Sequence, residues 1–246
     1  MAERHILLCR AKIRREYKHS MKSRYDYILF DLDGTLIASA EGVIEAFEYA
    51  LSKFGIDPGD RESMKKLVGP VLKESFQKVY HFDSESVEEV LRYYHESYET
   101  SGIYKVPLFE GVDDMLSALQ DAGKILLVVT AKQQEMAESI LRYVGIDRYF
   151  RAVVGPNRSE SRTDKAAMIK KALSWLELHE SAGSPAAEHT VMVGDRFFDI
   201  EGAVRDGVDS IGVLYGYGDR QELEKAGATW IAETPEEVVR IIKGTS

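Results

Sequence analysis

Apolar residues along this chain alternate between short unbroken runs and longer stretches with helical spacing. The first run, Tyr25 to Phe30, is aromatic and aliphatic and stops at Asp31-Leu32-Asp33-Gly34-Thr35, which is strand chemistry ending in a turn. The run Ile125-Leu126-Leu127-Val128-Val129 is wholly apolar, as expected of a parallel strand buried on both faces. Shorter runs predict strands at Ala152 to Val154, Val191 to Val193 and Ser210 to Val213.

Between these runs the period changes. Val43, Ala46, Phe47, Ala50, Leu51 and Phe54 recur at helical spacing and stop at Gly55. Helical stretches follow over 62–67, 71–80 and 86–100, with Gly69-Pro70 breaking the first from the second. No strand signal interrupts 40–101, so that stretch reads as an all-helical insert. Val112, Met115, Leu116 and Leu119 mark a helix that ends at Gly123, and further helices are expected over 133–143, 164–178 and 198–206. Ser181 to Pro185 reads as a loop.

Repeated strand-helix units with apolar strands predict an α/β fold, a doubly wound parallel sheet covered by helices, with an inserted all-helical cap. The expected division is a disordered basic leader over 1–22, an α/β core over 23–38 and 104–246, and the cap over 39–103. In such sheets ligands bind outside the carboxyl ends of the strands, so the loops after the strands are where chemistry is expected.

Composition narrows the function classes. Hydrophobic residues at 44% and charged residues at 30% of 246 belong to an ordinary soluble globular protein. A net charge of −9 argues against a nucleic acid polymer or a membrane surface as partner, because polyanions would be repelled. An anionic substrate therefore needs a local positive pocket. One cysteine, Cys9, excludes an intrachain disulfide and a cysteine metal cluster and fits a reducing compartment, with the cytoplasm as the expected location. No apolar run approaches the ~20 residues of a membrane span. The basic leader has only Ile6 to Cys9 as an apolar stretch, short of the ~7 residues a secretory signal requires.

The strand-end loops carry polar groups of complementary kinds. Asp31 and Asp33 follow the first strand, Thr130 the second, Lys165 opens a helix, and Asp195 and Asp199 follow Val191 to Val193. Three carboxylates of that set would make a hard oxygen cage suited to Mg2+. Asp31, the first polar side chain after the strand, is placed to attack phosphorus. Asp33, two residues on, projects to the same side and can serve as acid and base. Gly34 permits the sharp turn that aims backbone N–H groups at a phosphate. Thr130 offers a hydroxyl near a helix start, and Lys165 a compact positive charge. Taken singly, these residues have plainer readings: Asp31 and Asp33 as turn formers, Thr130 as a helix cap, Lys165 as a solvated lysine no different from Lys170 or Lys171. Tyr93, Tyr94 and Tyr98 read as packing residues, Lys73 as solvated, Arg196 as either surface or phosphate-side, and His81 and His95 receive no role.

In combination, Asp31-Leu32-Asp33-Gly34-Thr35, Thr130, Lys165 and Gly194-Asp195-Arg196-Phe197-Phe198-Asp199 resemble, in order, the motifs of the haloacid dehalogenase superfamily, from about Tyr25 onward. The resemblance implies Asp31 as nucleophile, Asp33 as acid/base, and Thr130 and Lys165 on the phosphate. It also implies Mg2+ held by Asp31, the Asp33 carbonyl and Asp195, with Asp199 as ligand or supporting partner. Val68-Gly69-Pro70, Glu74-Ser75-Phe76 and the segment Asp209 to Gly218 are similar to the phosphoglycolate phosphatase and 5'-nucleotidase branch. One departure is Ala38, where many relatives carry Asp before the residue that stands here as Ser39.

The expected activity is thus Mg2+-dependent hydrolysis of a small phosphorylated metabolite through an aspartyl-phosphate, by a monomer or homodimer. Two alternatives stay open: a sugar phosphomutase of the β-phosphoglucomutase type, and a regulatory protein that kept the fold without the chemistry. A dehalogenase is disfavoured because that branch lacks the acid at Asp33.

Overall fold

Strand β1, Tyr27–Phe30, lies at the middle of the sheet, paired on one side with β2, Ile125–Val129, and on the other with β4, Thr190–Gly194. The computed structural model describes residues 24–157, 164–180 and 186–245. Strand β3, Phe150–Val154, flanks β2, while β5, Asp209–Val213, and β6, Trp230–Ala232, continue beyond β4. The order is β3-β2-β1-β4-β5-β6 and every pairing is parallel. This is the doubly wound order, with its switch point beside β1. The leader, Cys9 and the loop expected at Ser181 to Pro185 lie outside the described residues.

Side-chain alternation along the strands divides the core in two. Ile28, Phe30, Leu126, Val128, Val191 and Val193 face one way. They pack against helix α5, Val112–Asp121, helix α6, Gln134–Tyr143, and helix α10, Pro235–Lys243. Leu29, Leu127, Val129 and Met192 face the other way, against helix α7, Lys165–His179, and helix α8, Phe197–Arg205. Burial on both faces explains why β2 is apolar at every position.

Between β1 and α5 the described chain is helical: α1, Ala40–Ser52, α2, Arg61–Met64, α3, Leu72–Val79, and α4, Ser86–Thr100. These helices close around apolar residues of their own. Phe47 and Phe76 rings lie 4.7 Å apart, Tyr94 meets Phe47 edge-on at 5.1 Å, and Tyr94 stacks on Tyr98 at 5.7 Å. The expected packing role of Tyr94 and Tyr98 therefore holds, and Tyr98 acquires a second one at its hydroxyl.

Several bounds differ from the sequence expectation. The stretch 62–67 is a short helix followed by a 3-10 turn, Lys65–Leu67. Strand β3 begins at Phe150, two residues early, and a register shift follows at once, with Phe150 opposite Leu126 and Ala152 opposite Leu127. A 3-10 turn at Gly102–Tyr104 straddles the line drawn at 103. Helix α9, Arg220–Ala226, β6 and α10 complete the sheet where the hydrophobic runs had assigned no element. β6 is an edge strand of three residues, too short to show an alternation. Among the described residues no helix is long and apolar enough to cross a membrane.

Candidate active site

Strand register decides where the polar residues go. Phe30 pairs with both Val128 and Val193, so the chain leaves all three strands at the same edge. Asp31 N donates to Val193 O at 2.9 Å and Thr130 N to Val154 O at 3.0 Å, which continues the ladder by one residue. Asp31, Thr130 and Asp195 therefore emerge side by side at the switch point.

Asp31 is buried, and Lys165, the first residue of α7, donates to its Oδ1 at 2.6 Å. The same ammonium donates to Val129 O at 3.0 Å and lies 3.0 Å from Asp199 Oδ1. Asp164 caps α7 by accepting from Ala167 N at 2.8 Å, which orients the helix start so that Lys165 points inward. Lys170 is exposed and Lys171 reaches Gly155 O, so geometry selects Lys165 among the three lysines. Burial pushes the Asp31 carboxyl up; Lys165 opposes this, Asp199 and Asp33 add to it, and it stands at about 7. Burial works against the Lys165 charge, but Asp199 and Asp31 outweigh it and hold the ammonium above its usual range.

Asp195 is fully buried at the end of β4 and held at both carboxylate oxygens. Thr35 Oγ1 donates to Oδ1 at 3.3 Å and Tyr217 N to Oδ2 at 2.8 Å. Gly34, at φ +89°, and Gly216 approach it so closely that a Cβ at either would overlap its carboxylate. Burial, then Asp199 and Asp31, push the Asp195 carboxyl well above the ordinary range. Asp199 accepts from Arg196 N at 3.1 Å through Oδ2, within the first turn of α8. Asp31, Asp195 and Asp199 each offer an oxygen within 4.8 Å of the other two. Three buried carboxylates against one ammonium leave an excess of negative charge, and the donors are all hard oxygens. That set fits a small divalent cation. The Asp33 side chain stands outside this cluster.

Asp33 faces instead a residue without a role in the sequence reading: its Oδ2 lies 3.2 Å from Lys132 Nζ. Lys132 also donates to Tyr98 Oη at 2.8 Å, and its backbone N donates to Thr130 Oγ1 at 3.1 Å. Burial opposes its charge, yet Asp33 and the bond to Tyr98 raise the ammonium above its usual range. The one sequence signal was its place two residues past Thr130, at a strand end.

Asp31, Asp33, Thr130 and Lys165 line a cavity of about 310 Å³ between the strand ends and the helical insert. Its far wall comes from the insert and is mostly apolar, with Leu67, Val68, Leu91, Tyr94 and Tyr98, and with His95 and Lys73 as polar members. Lys73 pairs with Glu88 at 2.6 Å, both half-exposed, in keeping with the solvated reading. Arg196 is neither a surface residue nor a member of the cavity wall. It is 7% exposed, bonds Glu222 through Nε at 2.8 Å and donates through Nη1 to Val68 O at 3.1 Å, tying the core to the insert.

Comparison with known proteins agrees with this geometry. A 5'-nucleotidase of Pseudomonas aeruginosa is 39% identical over 200 residues, which is 81% of this chain and 87% of that one. A tyrosine-protein kinase, PtkA of Mycobacterium tuberculosis, is 34% identical over 202 residues, 82% of this chain and 66% of the relative. The crystal structure of a predicted phosphatase from Clostridium acetobutylicum superposes with a TM-score of 0.83 at 36% identity, over 89% of this chain and 99% of that one. The family profile described as haloacid dehalogenase-like hydrolase matches residues 28–213, and the chain belongs to that family.

Proposed function

We propose that this protein is a Mg2+-dependent phosphatase that hydrolyses small phosphate monoesters by way of an aspartyl-phosphate on Asp31. The observation that carries the reading is Asp31 itself: a buried carboxylate at the switch point of the sheet, held by Lys165, beside Asp195 and Asp199, and facing the cavity between the strand ends and the insert. The naming of the Pseudomonas aeruginosa and Clostridium acetobutylicum relatives supports it. We place the core at 23–38 and 104–246 and the cap at 39–103, so that the cap covers the leaving group.

In the first half-reaction an Asp31 oxygen forms a bond to phosphorus while the bond from phosphorus to the ester oxygen breaks. Asp33, protonated, delivers its proton to the departing oxygen. In the second, a water oxygen attacks the same phosphorus, its proton passes to Asp33, and orthophosphate leaves with Asp31 restored as a carboxylate. Thr130 and Lys165 hold the phosphoryl oxygens, Lys165 with a full positive charge that meets the developing negative charge. Asp31, Asp195, Asp199 and the Asp33 carbonyl would hold Mg2+, which supplies charge neutralisation for the incoming dianion. The cap excludes bulk water and strengthens each of these interactions. Monoester hydrolysis needs up to ~10^21-fold acceleration, which one charge cannot supply and a complete constellation can approach.

The test is a panel of phosphate monoesters, nucleoside 5'-monophosphates first, assayed with Mg2+ and with chelator. Release of orthophosphate only with Mg2+, and its loss in Asp31→Asn with the fold intact by circular dichroism, is the expected result. Unchanged turnover in that variant removes Asp31 as nucleophile, and isomerised sugar phosphate in place of orthophosphate replaces hydrolysis by mutase chemistry.

A further inference from the structure

One buried charge in the cavity has no part in the reaction as written above. The Lys132 side chain is 11% exposed, and its ammonium touches two separate parts of the chain. It lies 3.2 Å from Asp33 Oδ2, in the loop after β1. It donates to Tyr98 Oη at 2.8 Å, near the end of α4 in the insert, and sits 4.5 Å from the centre of the same ring. Its own backbone is pinned beside Thr130 through the 3.1 Å bond to Thr130 Oγ1. The other oxygen of Asp33, Oδ1, is buried and has no hydrogen-bond partner among the described residues. One oxygen of the acid is therefore anchored, and its companion is left for another use.

We propose that Lys132 is a positioning residue for the proton donor: it holds Asp33 by Oδ2 so that Oδ1 meets the leaving oxygen, and Tyr98 makes that hold depend on the insert being seated on the core. The inference rests on the phosphatase reading and deepens it by linking cover of the site to readiness of the acid. The physical reason is one of differential binding. An ammonium beside Asp33 interacts most strongly with the ionised carboxylate left once the proton has gone to the leaving oxygen, so the contact tightens along the reaction. With the insert lifted away, Lys132 loses its neutral anchor and the cation-ring contact, and among the described residues its head group keeps only the ion pair with Asp33 itself, which leaves the pair free to move together. The acid would then be well placed only when the cavity is closed over a substrate.

The test compares two esters that differ in their need for an acid. A p-nitrophenyl phosphate releases a stable phenolate, whereas an alkyl phosphate releases an alkoxide that must be protonated. The quantity to read is kcat/KM, because it reports steps up to phosphoryl transfer onto Asp31 and omits the later hydrolysis common to both esters. Lys132→Met is expected to lose about 100-fold on the alkyl ester, the scale of a general acid's contribution, and at least tenfold less on the nitrophenyl ester. Tyr98→Phe keeps the ring and removes the hydroxyl, and it is expected to show the same imbalance, roughly 3- to 10-fold, for one lost hydrogen bond. If Lys132→Met does not fold, Tyr98→Phe decides the matter. Equal losses on the two esters, or a change confined to KM, overturn the positioning role and make Lys132 a direct contact to substrate. Failure of the unmodified protein to release phosphate from either ester sinks the phosphatase reading itself, which is a separate result.

Discussion

The Lys165 ammonium lies 2.6 Å from Asp31 Oδ1, with the two side chains 2% and 5% exposed. Lys165 keeps its charge through Asp199 and Asp31, and it opposes without cancelling the upward push of burial on the Asp31 carboxyl; neither charge is stable there alone. Asp199, 3.0 Å from the same nitrogen, shares the cation.

Lys165→Met should therefore act on both stability and turnover. Leaving Asp31 and Asp199 unpaired in a buried site costs ~3–5 kcal/mol, read as a fall in the denaturation midpoint without metal. Turnover should fall by at least ~100-fold, the scale of losing one electrostatic contact to the transferring group. A fall in turnover with an unchanged midpoint would mean that the 2.6 Å contact does not exist in solution.

Without metal, stability should decline as pH rises from about 4 to 7. Burial raises the Asp31 carboxyl from 3.8 to about 7, so over that window the folded chain binds a proton that the unfolded chain has released. The folded state then has more bound protons, and the free energy of unfolding falls with increasing pH, by at most ~1.4 kcal/mol per unit for one group. Asp195, shifted the same way, adds to the slope. Bound Mg2+ requires ionised carboxylates, so the gain in melting temperature on adding it should grow over the same window. Urea midpoints in chelator and in Mg2+, for the native chain and for Asp31→Asn, check both signs; a slope unaffected by the substitution would remove Asp31 as its source.

Gly34→Ala tests the cradle around Asp195. A side chain at φ +89° is strained by ~1–2 kcal/mol, and its Cβ would occupy space now filled by the Asp195 carboxylate. The carboxylate must shift away from Thr35 Oγ1 and Tyr217 N, so the melting-temperature gain from Mg2+ should shrink markedly. A gain equal to that of the native chain would show that Asp195 tolerates displacement.

Arg196→Met tests the link between core and insert. It removes the donor to Val68 O and the ion pair with Glu222, leaving a buried carbonyl unsatisfied at a cost of ~1–3 kcal/mol. Amide hydrogen exchange over residues 65–72 should quicken while the strands of the sheet keep their protection. Unchanged exchange there would mean that the insert is held by its other contacts.

Much of this architecture can be read from local pattern. Five consecutive apolar residues at Ile125–Val129 identify a strand buried on both faces, and the spacing of Val43, Phe47 and Leu51 identifies the buried side of α1. The order Asp31, Thr130, Lys165, Asp195 places acids, hydroxyl and cation at strand or helix ends from the sequence alone. β6 escaped because three residues carry no period, and Arg196 because its partners, Val68 and Glu222, lie in two different segments of the chain.

Sequence alone thus determined most of the elements as far as β5 and the residue types at their ends, since both follow from interactions within a few residues. The tertiary structure decided which of those ends meet. Phe30 pairing with Val128 and Val193 brings Asp31 beside Thr130 and Asp195 and sets Lys132 beside Asp33, and folding of the insert over that edge brings Tyr98 to Lys132. Such contacts depend on sheet register and on the docking of one packed unit against another, and those are properties of the whole chain that no local stretch encodes.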